Sequence, residues 1–219
     1  MVKFKEYLKE SGYHFSDKVI NAKYFGVPQN RRRYVLLASR IRQIDIPKQN
    51  KKIALTTVAD AIGDFEIYTP IVAGNIDKTD FIHTTSRLEE INLNRLRNTS
   101  KNGGSRKEWA QNEELQLECY RTHDGHSDVY GRMTWNKVSP TITTKFNSIS
   151  NGRYGHPDQD RAISLREGAT LQSFPKEYKF YAESQGTIAR MIGNAVPPKL
   201  AYSIANAIKP YHSGETRQT

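Results

Sequence analysis

The sequence predicts an α/β protein in which a strand pair near the N-terminus and helices near the C-terminus flank a largely irregular middle. Two short apolar runs, residues 19–22 and 34–38, have the length of buried strands. Helix-start signals follow residue 160, whereas residues 51–132 contain no long periodic segment. Regular structure is therefore expected at both ends of the chain and loops between them.

The N-terminal elements are predicted from spacing and punctuation. Phe4, Tyr7 and Leu8 share one face of a helix that ends near Gly12, and the two strands follow it. Residues 41–50 are polar and irregular, as in a linker. Beyond the linker, Ser86 begins a short helix with a capping box.

The C-terminal elements carry clearer signals. Ser164 opens a capping-box helix that the Phe-Pro pair at 174–175 ends, and residues 184–192 form a short helix that Gly193 stops in a left-handed turn. The prolines at 197–198 begin a last helix. Its apolar stripe consists of Leu200, Ala201, Ile204, Ala205 and Ile208.

Composition favours a polyanionic partner. Lys and Arg total 33 against 23 Asp and Glu, which gives a net charge of +10. The single cysteine excludes an intrachain disulfide, and the chain has neither an 18-residue apolar run nor the apolar core of a signal peptide, so a cytoplasmic protein without a membrane segment is expected. Only 37% of the residues are hydrophobic, which suggests that a partner completes part of the apolar surface.

Three consecutive arginines stand between a turn and a strand. In an extended segment Gln29, Arg31 and Arg33 point to one side and Arg32 to the other. An amide and two guanidinium groups facing one way suit a phosphate or the polar edge of a base. A solvated basic loop is the alternative that these residues leave open.

Two polar stretches of the middle region are also candidates for binding. Residues 98–107 combine glycines, hydroxyls and bases, which are groups that contact phosphates and base edges, although an ordinary exposed loop has the same composition. Cys119, His123, Asp124 and His126 have a C-x3-H-x2-H spacing but lack a clear fourth ligand. We therefore predict a polar loop there and no metal site.

Three segments together resemble those of a known family. Residues 26–33 are similar to its eighth motif, Q-x-R-x-R, residues 161–175 to its ninth and residues 192–198 to its tenth. They occur in the order found in the DNA (cytosine-5) methyltransferases that use S-adenosylmethionine, separated by a variable stretch. Thr170 departs from the family pattern, which usually has arginine there, and this puts any salt bridge of that arginine in doubt.

The resemblance implies a fold and a division of the chain. It implies a partial S-adenosylmethionine-dependent methyltransferase domain, formed by an edge strand pair and the C-terminal helix, with a largely irregular target recognition domain. Residues 1–45 would belong to the catalytic domain, residues 46–183 to the recognition domain including the ninth motif, and residues 184–219 would return to the catalytic domain. The apolar stripe of the last helix would then be exposed as a candidate partner interface.

The resemblance also implies roles for individual residues. Arg31 and Arg33 would contact a cytosine turned out of the duplex, or its backbone, while Gln29 fixes the loop. Asn194, Ala195 and Val196 would line part of the S-adenosylmethionine pocket, although a helix cap followed by a proline explains most of that segment. Recognition of double-stranded, GC-rich DNA would fall to residues 53–132, with candidate contacts at Thr84, Ser86, Arg87, Gly103, Gly104, Ser105 and Arg106.

Several motifs of the family are absent from these 219 residues. The Gly-rich cofactor loop, the Pro-Cys nucleophile and the Glu-Asn-Val segment are missing, and Cys119 lacks the preceding proline, so we interpret it as structural. The leading hypothesis is the C-terminal subunit of a split cytosine-5 methyltransferase of a restriction-modification system, inactive alone, with a second polypeptide carrying those motifs. The alternatives are a non-catalytic DNA-binding or regulatory remnant and a fragment of a longer polypeptide.

Overall fold

A two-stranded antiparallel sheet forms the N-terminal part of the structure, a computed structural model that describes residues 2–120 and 128–212. Helix α1 (Val2–Glu10) precedes β1 (His14–Asn21), which pairs with β2 (Arg32–Ser39) over eight residues. Both strands extend beyond the apolar runs that predicted them, because the backbone ladder continues through polar positions.

Five further α-helices follow the sheet in the described part of the chain. Helix α4 begins at the predicted capping box, in which the Ser164 hydroxyl accepts a hydrogen bond from the Glu167 amide at 3.0 Å. The predicted helix start at Ser86 is wrong, because the helix begins only after Glu89. The five helices are α2 (Val58–Ile62), α3 (Glu90–Arg97), α4 (Leu165–Leu171), α5 (Gln185–Asn194) and α6 (Pro198–His212).

Three clusters of buried apolar residues organise the described residues. The largest joins α2, α4 and α5, and a second surrounds Leu96, Trp109 and Tyr130. The third packs Leu200 of α6 against Ile20 at the end of β1. Helix α6 therefore holds the strand pair, whereas α5 belongs to the same core as α4.

The predicted exposure of the α6 stripe is wrong. Leu200 is only 1% exposed, and Ile204 packs against the same cluster. A two-stranded sheet has too little apolar surface to form a core with itself, so it covers Leu200 and Ile204, while Ala201 and Ala205 of the stripe stay exposed. The opposite side of α6 stays exposed, with Tyr202 as its largest apolar residue.

The structure thus has the mixed α/β character that the sequence predicts, with a two-stranded sheet and long connections. Among the described residues no helix combines the length and the apolarity needed to cross a membrane. The described part also holds no group of three His, Cys, Asp or Glu residues suited to a metal ion. His123, Asp124 and His126 lie outside the described residues.

Candidate functional site

The turn before β2 is held against a distant loop by backbone hydrogen bonds. The 3₁₀ helix Ala22–Phe25 ends at Gly26, whose φ of 73° reverses the chain. The Pro28 carbonyl then accepts from the Ser139 amide at 3.0 Å, and the Asn30 amide donates to the Ser139 carbonyl at 2.9 Å. These bonds direct the side chain of Gln29 inward, where it is completely buried.

Gln29 uses both ends of its amide inside the protein. Its Nε2 donates to Gln172 Oε1 at 3.0 Å and to the Leu171 carbonyl at 3.3 Å, and its Oε1 accepts from the Ile142 amide at 2.8 Å. Gln172 in turn donates to the Ile192 carbonyl at 2.7 Å. The turn, the end of α4 and the last turn of α5 are therefore joined by buried amides.

Arg31 extends this network to the end of α5. Its Nη1 donates to the Ile142 carbonyl at 2.7 Å, and its Nη2 donates to the carbonyls of Gly193 at 2.8 Å and Ala195 at 3.3 Å. Its side chain is buried, and no described residue accepts a hydrogen bond from its Nε. Burial, helped by the nearby Arg33 charge, lowers the pKa of Arg31 to about 10, so it stays charged at neutral pH.

Gly193 allows α5 to approach the loop that precedes Phe146. The predicted left-handed turn at Gly193 is wrong, because α5 continues through Asn194 and Gly193 does not have a positive φ. A Cβ at this position would meet the Thr143 carbonyl group and lie 2.5 Å from the Thr144 nitrogen. The glycine is thus required by close packing, which brings the end of α5 within reach of Arg31.

The segment predicted to face the cofactor emerges directly from this network. Asn194 is exposed, Ala195 is half-buried with its carbonyl bound by Arg31, and Val196 is 58% exposed. An amide and an apolar side chain on a fixed backbone fit a ligand with both polar groups and an aromatic ring, as S-adenosylmethionine has. As cofactor contacts the three residues remain predictions.

The two arginines predicted to act together are separated. Arg33 lies in β2 opposite Ile20 and is exposed, and its Nη1 donates to the Arg32 carbonyl at 2.7 Å. Arg31 precedes β2, where the chain still follows Ser139 and the side chain turns inward. Gln29 and Arg31 therefore share one network, while Arg33 and Arg32 both face outward.

The predicted DNA contacts in the first recognition loop are mostly held within the protein. Thr84 is buried and its hydroxyl accepts from the Asp77 amide at 2.9 Å, while Ser86 accepts from Asn147 at 3.1 Å. Arg87 is exposed. Of the three residues Thr84, Ser86 and Arg87, Arg87 is the exposed one, and the assignment of all three to DNA stays a prediction.

The second predicted loop is also tightly built. Ser105 and Glu108 form a capping box that begins the 3₁₀ helix Arg106–Trp109, and Arg106 is buried with its guanidinium 4.0 Å from the Tyr120 ring centre. Gly104 is buried, and the carbonyls of Gly103 and Gly104 accept from Arg153. The polar residues of this loop therefore serve hydrogen bonds within the protein as much as contact with solvent.

A buried ion pair supports the start of α4, and the sequence reasoning assigned it no role. Arg161 donates to both oxygens of Glu167 at 2.7 Å, and both side chains are fully buried. Burial alone would raise the pKa of Glu167, but the Arg161 charge lowers it to about 2. Neighbouring His156 is also buried, which lowers its pKa to about 4. The Ser-x-x-Glu capping signal could have identified Glu167, but nothing local identifies its partner.

An open groove of about 660 Å³ adjoins the Gln29–Arg31 turn. Asn30, Gly103 and Arg153 line it, together with residues 133–134 and 136–140. The groove therefore runs from the candidate site to the second predicted recognition loop.

A family model and two curated relatives point to the same class of protein. The family described as C-5 cytosine-specific DNA methylase matches residues 1–210. The type II methylase M.HgiDII of Herpetosiphon aurantiacus is 45% identical over 217 residues, covering 96% of this chain and 60% of that protein. The type II methyltransferase M1.BsuMI of Bacillus subtilis is 32% identical, covering 92% of this chain and 45% of that protein.

A solved structure of similar fold is that of a candidate DNA modification methyltransferase encoded within an E. coli prophage. It superimposes with a TM-score of 0.65 at 19% identity and covers 97% of this chain and 65% of that chain. The chain thus spans about half of the length of the two curated relatives.

Proposed function

The chain belongs to the C-5 cytosine-specific DNA methylase family, and we propose that it supplies the DNA-recognition part and one edge of the cofactor pocket of a DNA cytosine-5 methyltransferase. One observation carries this proposal. The first of the three segments that resemble family motifs lies more than 100 residues from the other two, yet Gln29 and Arg31 join it to both in a single buried network. Burying these polar groups carries a desolvation cost, and a turn with a purely structural role would not need such a network.

Arg31 and Arg33 take different roles in this proposal. Arg31 is a positioning residue, because its Nη1 and Nη2 groups donate to the carbonyls of Ile142, Gly193 and Ala195. Arg33 is the cation that meets the flipped cytosine or its phosphate, because its side chain is exposed beside the same turn. A fixed cation at that place stabilises negative charge that develops on the base during attack.

The exposed segment that begins at Asn194 forms one edge of the S-adenosylmethionine pocket. When bound, this cofactor supplies the methyl group that carbon 5 of cytosine accepts. Arg31 holds the backbone of the segment, so that the Asn194 amide and the Val196 side chain keep a constant position. In this proposal the chain therefore contributes one edge of the pocket and helps to orient the cofactor.

A second polypeptide completes the enzyme in this proposal. It carries the Gly-rich loop, the Pro-Cys nucleophile and the Glu-Asn-Val segment, none of which occurs in the printed sequence. Val19 and Tyr34, which pair across β1 and β2 and are 46% and 39% exposed, offer it an apolar contact surface. The type II relatives favour a restriction-modification role.

Reconstitution tests the proposal. The chain is mixed with a polypeptide comprising the part of the Herpetosiphon relative that it does not match, and methyl transfer from labelled S-adenosylmethionine to duplex DNA is measured. We expect activity only from the mixture. Activity of the chain alone, or no activity of the mixture while both parts are folded, would contradict the division of functions.

Adjacent arginines provide a matched pair for the same assay. Arg33→Ala should lower kcat by about 100-fold, the usual effect of removing one group that stabilises developing charge. Arg32→Ala removes a guanidinium that is also exposed and should leave kcat near that of the wild type. Equal kcat values for the two variants would refute the role of Arg33.

A further inference from the structure

We propose that Asn136 and Lys137 bind double-stranded DNA in the groove beside the Gln29–Arg31 turn, with Lys137 on a backbone phosphate and Asn136 on a base edge. Both line the groove and both are exposed. The inference rests on the proposed function, because it gives that function a recognition surface outside the residues predicted from the sequence.

The backbone that carries these two side chains is held on both sides. The carbonyls of Trp135 and Lys137 accept from the first amides of α2, Ala59 and Val58, at 2.9 and 2.8 Å. The Trp135 amide donates to Asn102 at 2.8 Å. Side chains on a backbone fixed in this way lose little entropy when a ligand binds.

The same segment connects the candidate catalytic turn with the recognition loop. Ser139 exchanges backbone hydrogen bonds with Pro28 and Asn30 at one end. At the other end Thr134 packs so closely on Gly103 that a Cβ there would lie 2.7 Å from the Thr134 hydroxyl. Asn136 and Lys137 therefore lie on the segment that joins the Gln29–Arg31 turn to the recognition loop at Gly103.

The polar groups of Asn136 and Lys137 have no hydrogen-bond or ion-pair partner among the described residues. Neither side chain makes a hydrogen bond or ion pair within residues 2–120 and 128–212, in contrast to Thr84, Ser86 and Ser105, whose polar groups are used internally. A carboxamide pairs with base edges and an ammonium with phosphate.

The charges along the groove are compatible with DNA. Arg153 pairs with Asp128 at 3.1 Å, which offsets the carboxylate that lines the groove. Lys137 contributes a positive charge that no described carboxylate offsets, on a chain whose net charge is +10. The groove therefore attracts a polyanion and positions it with one fixed amide.

Fluorescence anisotropy with a labelled duplex of mixed sequence tests the proposal on the full chain over a series of salt concentrations. Lys137→Ala should weaken binding about tenfold near 0.1 M salt and reduce the salt slope by about one, because one phosphate contact is lost. Asn136→Ala should weaken binding about five- to tenfold with the salt slope unchanged, because the amide is neutral.

Two matched controls use exposed residues outside the groove. Lys18→Ala on β1 and Asn206→Ala on α6 remove the same groups and should leave affinity and salt slope near the wild-type values. Circular dichroism should show all four variants folded, since none of these side chains is buried. Equal losses for groove and control variants, or a wild-type chain that binds no duplex, would overturn the inference.

The result is separable from the proposed function. If the reconstituted enzyme transfers methyl groups while the groove variants bind and react like the wild type, this inference is wrong and the proposed function stands. If the groove variants weaken DNA binding but no mixture transfers methyl groups, the groove is a DNA site and the catalytic proposal fails.

Discussion

Two glycines of α5 should respond in opposite directions to the same substitution. Gly186 and Gly193 occupy one helix, and replacing a helical glycine by alanine ordinarily stabilises by about 0.5–1 kcal/mol. A Cβ at Gly186 would meet nothing nearer than the Ser184 hydroxyl at 3.9 Å. Gly186→Ala should therefore raise the free energy of unfolding by about 0.5 kcal/mol, since the position lies in the first turn.

Gly193→Ala should instead destabilise. Its Cβ would lie 2.5 Å from the Thr144 nitrogen and still closer to the Thr143 carbonyl group, and backbone atoms cannot rotate away. Overpacking costs about 1–3 kcal/mol, and a shift of α5 would also lengthen the hydrogen bonds of Arg31 to Gly193 and Ala195. We expect a net loss of about 2–4 kcal/mol after the gain in helix propensity.

Urea denaturation of the two variants measures the difference. The midpoint should rise slightly for Gly186→Ala and fall clearly for Gly193→Ala, with similar m-values. In the reconstituted enzyme Gly193→Ala should also raise KM for S-adenosylmethionine, because Asn194 and Val196 move with the helix end. A Gly193→Ala variant as stable as Gly186→Ala would refute the close approach that we describe.

Two further perturbations address the buried polar groups. Arg31→Met should lower the free energy of unfolding by about 2–4 kcal/mol, because the carbonyls of Ile142, Gly193 and Ala195 lose their donor. The removal of a buried charge offsets part of this loss. A change below about 1 kcal/mol in urea denaturation would contradict the role of Arg31 in holding these carbonyls. Between pH 4 and 6.5 His156 is protonated in the unfolded chain but stays neutral when it is buried in the folded protein. The free energy of unfolding should therefore rise with pH across this window by about 3 kcal/mol in total. His156→Gln should remove that rise and His14→Gln, at an exposed position, should retain it; equal pH profiles for the two variants would exclude His156 as the source.

Local signals predicted a substantial part of this protein. The strand pair was predictable from two apolar runs, and α4 from the Ser164–Glu167 capping box, because each signal acts between residues a few positions apart. The family resemblance was carried by three short segments, and the comparisons confirm it. The function of the turn before β2 stays a prediction, but the structure brings Arg31 of this turn to Gly193 of the tenth segment, and Gln29 reaches that segment through Gln172.

Long-range packing accounts for what the sequence reasoning missed. The inward direction of Arg31 depends on carbonyls at Ile142 and Gly193, more than 100 residues away, and alternation within an extended segment could not reveal it. The cover over Leu200 and Ile204 of α6 has the same origin, because it comes from the N-terminal strand pair. Arg161 lies only six residues from Glu167, but no local rule pairs residues at that spacing. Polar residues such as Thr84 and Arg106 looked like surface groups because composition does not report burial.

The amino-acid order thus specifies the family, the basic charge, and the elements whose hydrogen bonds and apolar faces are local. The approach of distant segments decides which polar groups form hydrogen bonds inside the protein and which remain free to bind DNA or cofactor. Gly193 illustrates the difference. In the sequence this glycine suggests a turn, whereas in the fold its lack of a side chain allows close contact with Thr143. The reason is that desolvation and packing are properties of the assembled chain.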